Sequence, residues 1–550
     1  LVRSRGLGDV YKRQEFHILG KIYAQNYKPH PQIILHGSYA REEFKEKAAK
    51  IKPHLGGIFS IWDETYCHTL TELWSIGLPA LVFDYPTVAT RVRESGAGWV
   101  LDHSDIPALY ERILEIAFDD DEMQERVAAV NAWQRGYGRG NTTRLMGAKY
   151  LNVYRKVMIP GAGDMVKIGV VCPQNADLRD ANASTQIRIW ARTHNSVFRD
   201  VCYIRLSPAS LLALVRRGDL DGAILQRTAI PRPMIDPLRA AFEQRNIPFA
   251  LDLDDDLLEV PEDKDPQQTY ADYAPFLRRL ISDAATLTVS TQPLLDKMRD
   301  INPSVPLLTN RLSDRLWGSP LPAPSLGETV RALYMGSPTH GDDLKLLMPA
   351  LKEIHSRHPE FRLTLIGISN SFDTPLPSYV EALEIPNGMK SYRNFVPWLR
   401  EQSARFHFAI APLRDTAFNA SKSSLKGLEY AGLGLPTLAS DTEVYRPLAQ
   451  NAPHIQLVAN DTGAWVEALN ARITAGAANR ADGAELRAWV EEPGHMDNSL
   501  RAYDELIRHM TASAENRNEC RTPSGPARGH PRPTADTQVG NHLRATPRMG

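Results

Sequence analysis

The sequence has no cysteine arrangement that could bind a metal or staple a small fold. Its four cysteines, Cys67, Cys172, Cys202 and Cys520, are scattered over 550 residues, without the short paired spacing of zinc sites or disulfide frameworks. Free thiols in a reducing compartment are therefore expected. No apolar run is long enough to span a bilayer and no secretory signal pattern is seen, so the expectation is a cytoplasmic protein, with peripheral contact at the inner face of a membrane left open. The net charge of -1 supplies no global field for nucleic acid, and no nucleic-acid partner is expected. A nicotinamide-dependent oxidoreductase would show G-x-G-x-x-G directly after a first strand, and VKIGVVCPQNADLRD has no such run. Hydrophobic residues at 43% and charged residues at 23% are ordinary for globular protein. The length suggests about three to four domains.

What the sequence does contain is alternation. QIILHG (32–37) reads as a strand and REEFKEKAAKI as a helix; GGIFSIW is a strand, TLTELWSIG a helix and PALVFDY a strand, up to a helix near Arg144–Met158. Strands alternating with amphipathic helices imply parallel sheet covered by helices, so the expected fold class is α/β with Rossmann-like lobes. After the Pro/Gly linker 159–165 the pattern restarts at VKIGVVCP (166–173) and continues through GAILQR, FALDLD and TLTVST. The Pro-rich WGSPLPAPSLGE (317–328) separates a further lobe with strands in RALYMGS, FRLTLIG, FHFAIAPL and LPTLAS. The resulting layout is 1–14, 15–158, the linker, 166–325, 326–510 and 511–550. The tail from Thr511 has almost no large apolar residues and is expected to be disordered. Ser4 to Gln14 looks like the in-frame translation of a sequencing adapter, so 1–14 are expected to be an unstructured artefact and the chain to begin mid-domain.

One repeat links the two parts. Glu72-Leu-Trp-Ser-Ile-Gly77-Leu-Pro79 and Glu429-Tyr-Ala-Gly-Leu-Gly434-Leu-Pro436 share the frame E-x4-G-x-P. In each the Glu sits on a short helix, Gly ends it and Pro opens a buried strand. Eight residues before Glu72 stands Glu64, in the loop after a strand. The helix N-terminus near His68–Thr69 offers unpaired amides to a diphosphate. Carboxylates on either side can accept hydrogen bonds from sugar hydroxyls, at the strand ends where such folds bind ligands.

SIWDETYCHTLTELWSIGLPALVFD resembles the E-x7-E donor signature of retaining family-4 glycosyltransferases, and HGSYAREEF matches the same family. The resemblance implies GT-B architecture, with Glu64 on the donor sugar and Glu72 on the ribose. It also implies one isolated C-terminal donor lobe followed by a complete two-lobe unit. APLRDTAFNASKSSLKGLEYAGLGLPTLAS (411–440), LYMGSPTHGDDLKLL and LDLDDDLLEVP resemble another GT-B branch found in polysaccharide loci. By motif position Glu429 holds the ribose. Lys422 and Lys426, one turn apart on one helix face, neutralise the leaving diphosphate, and Gly336-Ser337 let backbone amides approach it. This unit departs from E-x7-E: Ser421 stands where the sugar-binding carboxylate would, and Asp415 or Asn419 are the replacements in reach. The Asp252–Asp256 run admits a metal reading, but we read Asp254 and Asp255 as a cleft-facing acidic loop; Arg188 either lines the same acceptor cleft or is an ordinary surface arginine. No metal and no cofactor is expected.

The resemblance implies a hexosyl- or glycosyltransferase, retaining and metal-independent, expected to move sugar from a nucleotide-sugar donor to a glycan or lipid-linked acceptor in surface polysaccharide synthesis. Two alternatives stand beside it. One is a nucleotide-sugar epimerase of the same fold; the other is a degenerate module that binds nucleotide sugars as a scaffold, which Ser421 keeps open.

Overall fold

The computed structural model describes residues 2–3, 15–23, 28, 30–173, 182–336, 341–368, 376–492 and 500–519. Residues Val2–Arg3 (β1), expected to be unstructured, pair antiparallel with β2 (Glu15–Ile18), which runs parallel to β3 (Ile33–Leu35). Next come β4 (Gly56–Ile58), β5 (Ala80–Phe83) and β6 (Gly98–Leu101), a separate parallel sheet. The region up to Met158 thus carries two short three-stranded sheets, not the one expected. The strand expected across GGIFSIW stops at Ile58 and leaves Phe59, Ile61 and Trp62 exposed.

A five-stranded parallel sheet follows: β7 (Val166–Val171), β8 (Val201–Arg205), β9 (Gly222–Gln226), β10 (Phe249–Leu253) and β11 (Thr286–Val289), in the order β11-β10-β9-β7-β8. The last sheet has six parallel strands: β12 (Arg331–Met335), β13 (Arg362–Ile366), β14 (Val380–Leu383), β15 (Phe408–Ala411), β16 (Thr437–Ser440) and β17 (Ile455–Val458). Their order is β14-β13-β12-β15-β16-β17. Helices on both faces bury these strands almost completely, which is why they read as near-continuous apolar runs. In both sheets the chain leaves from a central strand, β7 or β12, builds one side and then crosses to the other. That reversal opens a crevice at the carboxyl ends, where doubly wound sheets bind ligands.

The E-x4-G-x-P repeat is a structural repeat. Helix His68–Ser75 passes through Gly77 (φ 89°) into β5, and helix Leu425–Gly432 passes through Gly434 (φ 62°) into β16. Both glycines take the left-handed backbone that disfavours a side chain.

Two expectations are corrected here. The helix Leu500–Glu519 runs through Thr511, where the folded chain was expected to end, and it packs on the five-stranded lobe. Tyr503, Ile507 and Met510 are buried there with Ile168, Val170 and Tyr203, and Asp504 accepts from Arg199 and from Tyr203 Oη (2.6 Å). A few large apolar residues at helical spacing suffice to dock it. The second correction is Arg188, which is fully buried and does not line a cleft. Its Nη2 donates to Asp252 Oδ1 (2.6 Å) inside β10, and Thr288 Oγ1 donates to the same oxygen (2.7 Å). Its Nη1 reaches the Leu308 carbonyl and Asn310 Oδ1 (3.1 Å) on the segment leading to the last lobe. A buried guanidinium is stable only where every donor finds an acceptor, and this one finds them at the junction of the lobes. Asp252→Ala leaves that cation buried and unpaired, and chemical unfolding should register a loss of about 3–5 kcal/mol; an unchanged midpoint contradicts this role.

Candidate functional site

Between the two large sheets lies a cavity of ≈ 670 Å³. It is walled by the residues that follow strands at their carboxyl ends: Arg227 after β9, Asp254 and Asp255 after β10, Gly336 after β12, Gly367 after β13 and Leu413 after β15. The order reversal in the six-stranded sheet falls between β12 and β15, so Gly336 and Leu413 mark its switch point. Gly367 has φ 79°, and a Cβ there would stand 2.6 Å from the Gly336 carbonyl oxygen. Only glycine permits that approach of two strand ends. Ser337 lies outside the described residues.

Lys426, in the first turn of helix Leu425–Gly432, and Lys422 both line this cavity. Lys422 is not on that helix as expected: it sits in the bend after helix Ala417–Ala420, where its amide donates to the Asn419 carbonyl (2.9 Å). The bend still turns it toward the same space. Nζ of Lys426 lies 4.6 Å from the Tyr334 ring centre and Nζ of Lys422 5.2 Å from that of Phe418, contacts that partly replace lost water. Neither ammonium lies within ion-pair distance of a carboxylate among the described residues. Desolvation lowers the Lys426 pKa to about 8, against the opposing pull of buried Asp343, and lowers that of Lys422 as well. One turn along, desolvation raises Glu429 to about 7, although Oε1 accepts a 2.7 Å hydrogen bond from Tyr392 Oη.

The facing wall is acidic. Arg227, itself at φ 51°, reaches Asp254 (3.2 Å) and Asp255 (3.0 Å), and Ser184 Oγ donates to Asp254 Oδ2 (2.5 Å). Burial and then the charge of Asp254 push the Asp255 pKa up. The rest of the Asp252–Asp256 run is also engaged, Asp252 by Arg188 and Asp256 by Lys297 (2.6 Å). Each carboxylate is thus matched to a neighbouring cation, and among the described residues no group of three His, Cys, Asp or Glu side chains is set to share a metal ion. Lys264 bridges the two walls through Asp342 (3.3 Å).

The replacements expected for Ser421 do not border this cavity. Asp415 is exposed, and Asn419 is buried with its Nδ2 donating to the Arg414 carbonyl (2.8 Å), so capping geometry has consumed its amide. Ser421 is itself buried and its carbonyl accepts from Thr291 Oγ1 (2.8 Å) of the other lobe. Its backbone thus links the two lobes, and the residue does not line the cavity.

In the first lobe, Glu64 follows β4 in a loop and accepts from Ser60 Oγ (2.5 Å), while Glu72 on helix His68–Ser75 pairs with Arg41 Nε (2.9 Å). Thr69 is exposed in the first turn of that helix. Arg91 binds the carbonyl of Cys67 (2.9 Å) and Thr71 Oγ1 (2.8 Å), fixing the approach. The ≈ 470 Å³ cavity of this lobe opens elsewhere, beside Trp99, Arg112 and Arg126, and none of Glu64, Thr69 and Glu72 borders it. Cys67, Cys172 and Cys202 are buried free thiols; Cys520 lies outside the described residues.

Arg227, Gly367 and Tyr392 were not anticipated. Gly367 had a visible signal, since FRLTLIG ends in glycine as RALYMG does; Tyr392 and Arg227 had none.

No protein-family model and no curated protein matches the sequence. Solved structures do. A glycosyltransferase from Rickettsia africae is similar at 10% identity and TM-score 0.44, over 64% of this chain and 99% of its own. Anabaena HepE, solved with UDP and glucose, is similar at 12% identity and TM-score 0.41, over 63% of this chain and 100% of its own. Sucrose-phosphate synthase of Thermosynechococcus elongatus is similar at 12% and 0.41, over 67% and 93%. The parallel-sheet architecture of this chain stands on its own strand order, apart from these likenesses.

The perturbed pair has a pH signature. Between about 4.5 and 7 the folded chain holds a proton on Glu429 that the unfolded chain has released, so stability falls as pH rises. Between about 8 and 10.5 the unfolded chain holds the extra proton, on Lys426, so stability rises with pH. The site therefore costs most near pH 7–8. Glu429→Gln with Lys426→Met should raise the unfolding midpoint most in that window; an equal shift at pH 5, 7.5 and 10 counts against the assignment.

Proposed function

We propose that the chain is a glycosyltransferase that takes a nucleotide-sugar donor in the cavity between its two large lobes. The observation that carries this reading is the pair Lys422 and Lys426. Two ammonium groups with no carboxylate within ion-pair distance among the described residues face the glycine-walled strand ends of a doubly wound sheet. A desolvated lysine lacking a counter-ion is unfavourable alone and becomes favourable when a diphosphate arrives. Glu429, bound to Tyr392, accepts ribose hydroxyls beside it; Asp254 and Asp255 across the cavity orient the acceptor hydroxyl.

The chemistry asked of the protein is modest. The sugar–phosphate bond breaks as negative charge grows on the departing diphosphate, and the two lysines stabilise that charge in a space partly closed to water. The sugar is delivered to a hydroxyl of a glycan or lipid-linked glycan, with retained configuration and without a metal, in surface polysaccharide synthesis; these finer assignments come from the resemblance of the first lobe to family-4 enzymes and of the two-lobe unit to a GT-B branch found in polysaccharide loci. The first lobe, with Glu64 and Glu72, is read as the donor half of a related unit in tandem. One observation favours the scaffold reading instead: Ser421 offers no carboxylate, is buried and does not line the cavity.

Titration calorimetry with UDP-, GDP- and dTDP-sugars, with and without magnesium, tests the proposal. Lys426→Ala and Lys422→Ala should each weaken binding about tenfold to a hundredfold, the range expected for a lost charge-assisted hydrogen bond. Affinity should also fall as pH rises through about 8, because only protonated Lys426 attracts the diphosphate. Binding without measurable transfer or donor hydrolysis selects the scaffold; no binding of any nucleotide sugar overturns the proposal.

A further inference from the structure

Lys264 lines the cavity from the acidic side, across from Lys422 and Lys426. It ends the turn Glu262–Lys264, whose backbone is fixed within the five-stranded lobe. The Lys264 amide donates to the Pro261 carbonyl (2.9 Å), and the next residue, buried Asp265, accepts from the amides of Thr269 (2.8 Å), Tyr270 (2.8 Å) and Ala271 (3.0 Å). From this held stem the long side chain reaches Asp342 of the last lobe (3.3 Å). Asp342 also accepts from Lys345 Nζ (3.0 Å), so it keeps a cation when Lys264 turns away. Lys264 and Asp342 are 25% and 37% exposed, and an ion pair so open to water is worth little and exchanges easily. The Lys422 pKa is lowered first by burial, and the charge of Lys264 lowers it further against the opposing pull of Asp255 and Asp343. The lysines of the two walls thus act on the same space.

Charge distinguishes Lys264 from the two lysines it faces. The diphosphate of an intact nucleotide sugar carries two negative charges, and Lys422 and Lys426 match them. In the transfer step the acceptor oxygen bonds to the anomeric carbon and its proton passes to water. The bond from that carbon to the diphosphate oxygen breaks, its electron pair stays on the oxygen, and the departing nucleoside diphosphate gains a third negative charge. An ammonium that meets only this third charge speeds the step without tightening donor binding. Arg227, the other cation of the acidic wall, is committed to Asp254 and Asp255 and is not available for it. A lysine on a flexible four-carbon stem suits the task, because it carries a point charge that can change partners. We propose, resting on the nucleotide-sugar reading of the cavity, that Lys264 is this third cation, held on Asp342 while the donor is intact and passed to the diphosphate oxygen as it leaves. The leaving group is then stabilised from both lobes, by two lysines of one and a single lysine of the other.

Titration calorimetry on the full chain separates the two charge states, using UDP-glucose, GDP-mannose and dTDP-glucose beside free UDP, GDP and dTDP. For the nucleotide that binds, Lys264→Met should weaken the free diphosphate about tenfold and the nucleotide sugar less than about twofold, whereas Lys422→Ala weakens both. In donor hydrolysis, Lys264→Met should lower kcat about tenfold and leave KM unchanged, and Lys264→Arg should restore most of the rate. Asp342→Asn breaks the same contact between lobes but keeps the cation, so its affinity for the free diphosphate should not fall. A loss in Asp342→Asn as large as in Lys264→Met assigns the effect to the contact and overturns the inference. Equal weakening of both ligands by Lys264→Met, or weakening of neither, also overturns it while the nucleotide-sugar reading stands. If the unaltered chain binds none of these ligands, that reading has failed and the inference falls with it.

Discussion

The buried pair of Arg188 and Asp252 connects most of the architecture to the cavity. Asp252 lies within β10, two residues before the acidic loop, so whatever fixes Asp252 also fixes where Asp254 and Asp255 emerge. Arg188 spends its remaining donors on the segment at Leu308 and Asn310, and Asn310 Nδ2 in turn donates to Ser423 Oγ (2.9 Å), next to Lys422. A continuous run of hydrogen bonds therefore joins the wall of one lobe to the wall of the other. In a dry interior each link is costly to leave unmade, and that cost holds the chain to one geometry.

The electrostatics of the cavity follow from the same dryness. Lys426 and Glu429 are one turn apart on one helix, and each is moved toward neutrality chiefly by loss of water. The acidic side is treated differently: Arg227 sits between Asp254 and Asp255 and keeps its charge through both, against the burial that would lower its pKa. One wall is thus ion-paired, and the other carries two ammonium groups with no carboxylate within ion-pair distance among the described residues. Under the proposed function that asymmetry would set the donor phosphates on one side of the cavity and the acceptor on the other.

The last described helix shows how the lobes are tied at a distance from the cavity. Leu500–Glu519 follows the six-stranded lobe in sequence but buries Tyr503, Ile507 and Met510 on the five-stranded one, with Asp504 held by Arg199 and Tyr203. The chain therefore crosses between the lobes at Asn310 and again before Leu500. These crossings tie the lobes away from the cavity, and the Lys264–Asp342 contact (3.3 Å) joins them beside it.

Strand–helix alternation, the linker at 159–165 and the paired E-x4-G-x-P frames were legible because they depend on period and on glycine, which local sequence records directly. So was the likeness of 72–79 to 429–436, which the structure repeats as helix, left-handed glycine and strand. Gly336, Lys422, Lys426, Glu429, Asp254 and Asp255 all line one cavity. Other features were decided only in three dimensions. Arg188 was read as lining the acceptor cleft because a charged residue near a strand end has no local mark of burial; its partner lies 64 positions away in sequence. Asn419 looked available, but its amide closes its own turn, and the folded chain was expected to end at Met510, although a helix docked through Tyr503, Ile507 and Met510 carries it on to Glu519. Sequence determines which segments are helix or strand because those choices are settled within a few residues. Which charges are buried, and which are left for a ligand, depends on partners the chain supplies from far away, and only packing reveals them.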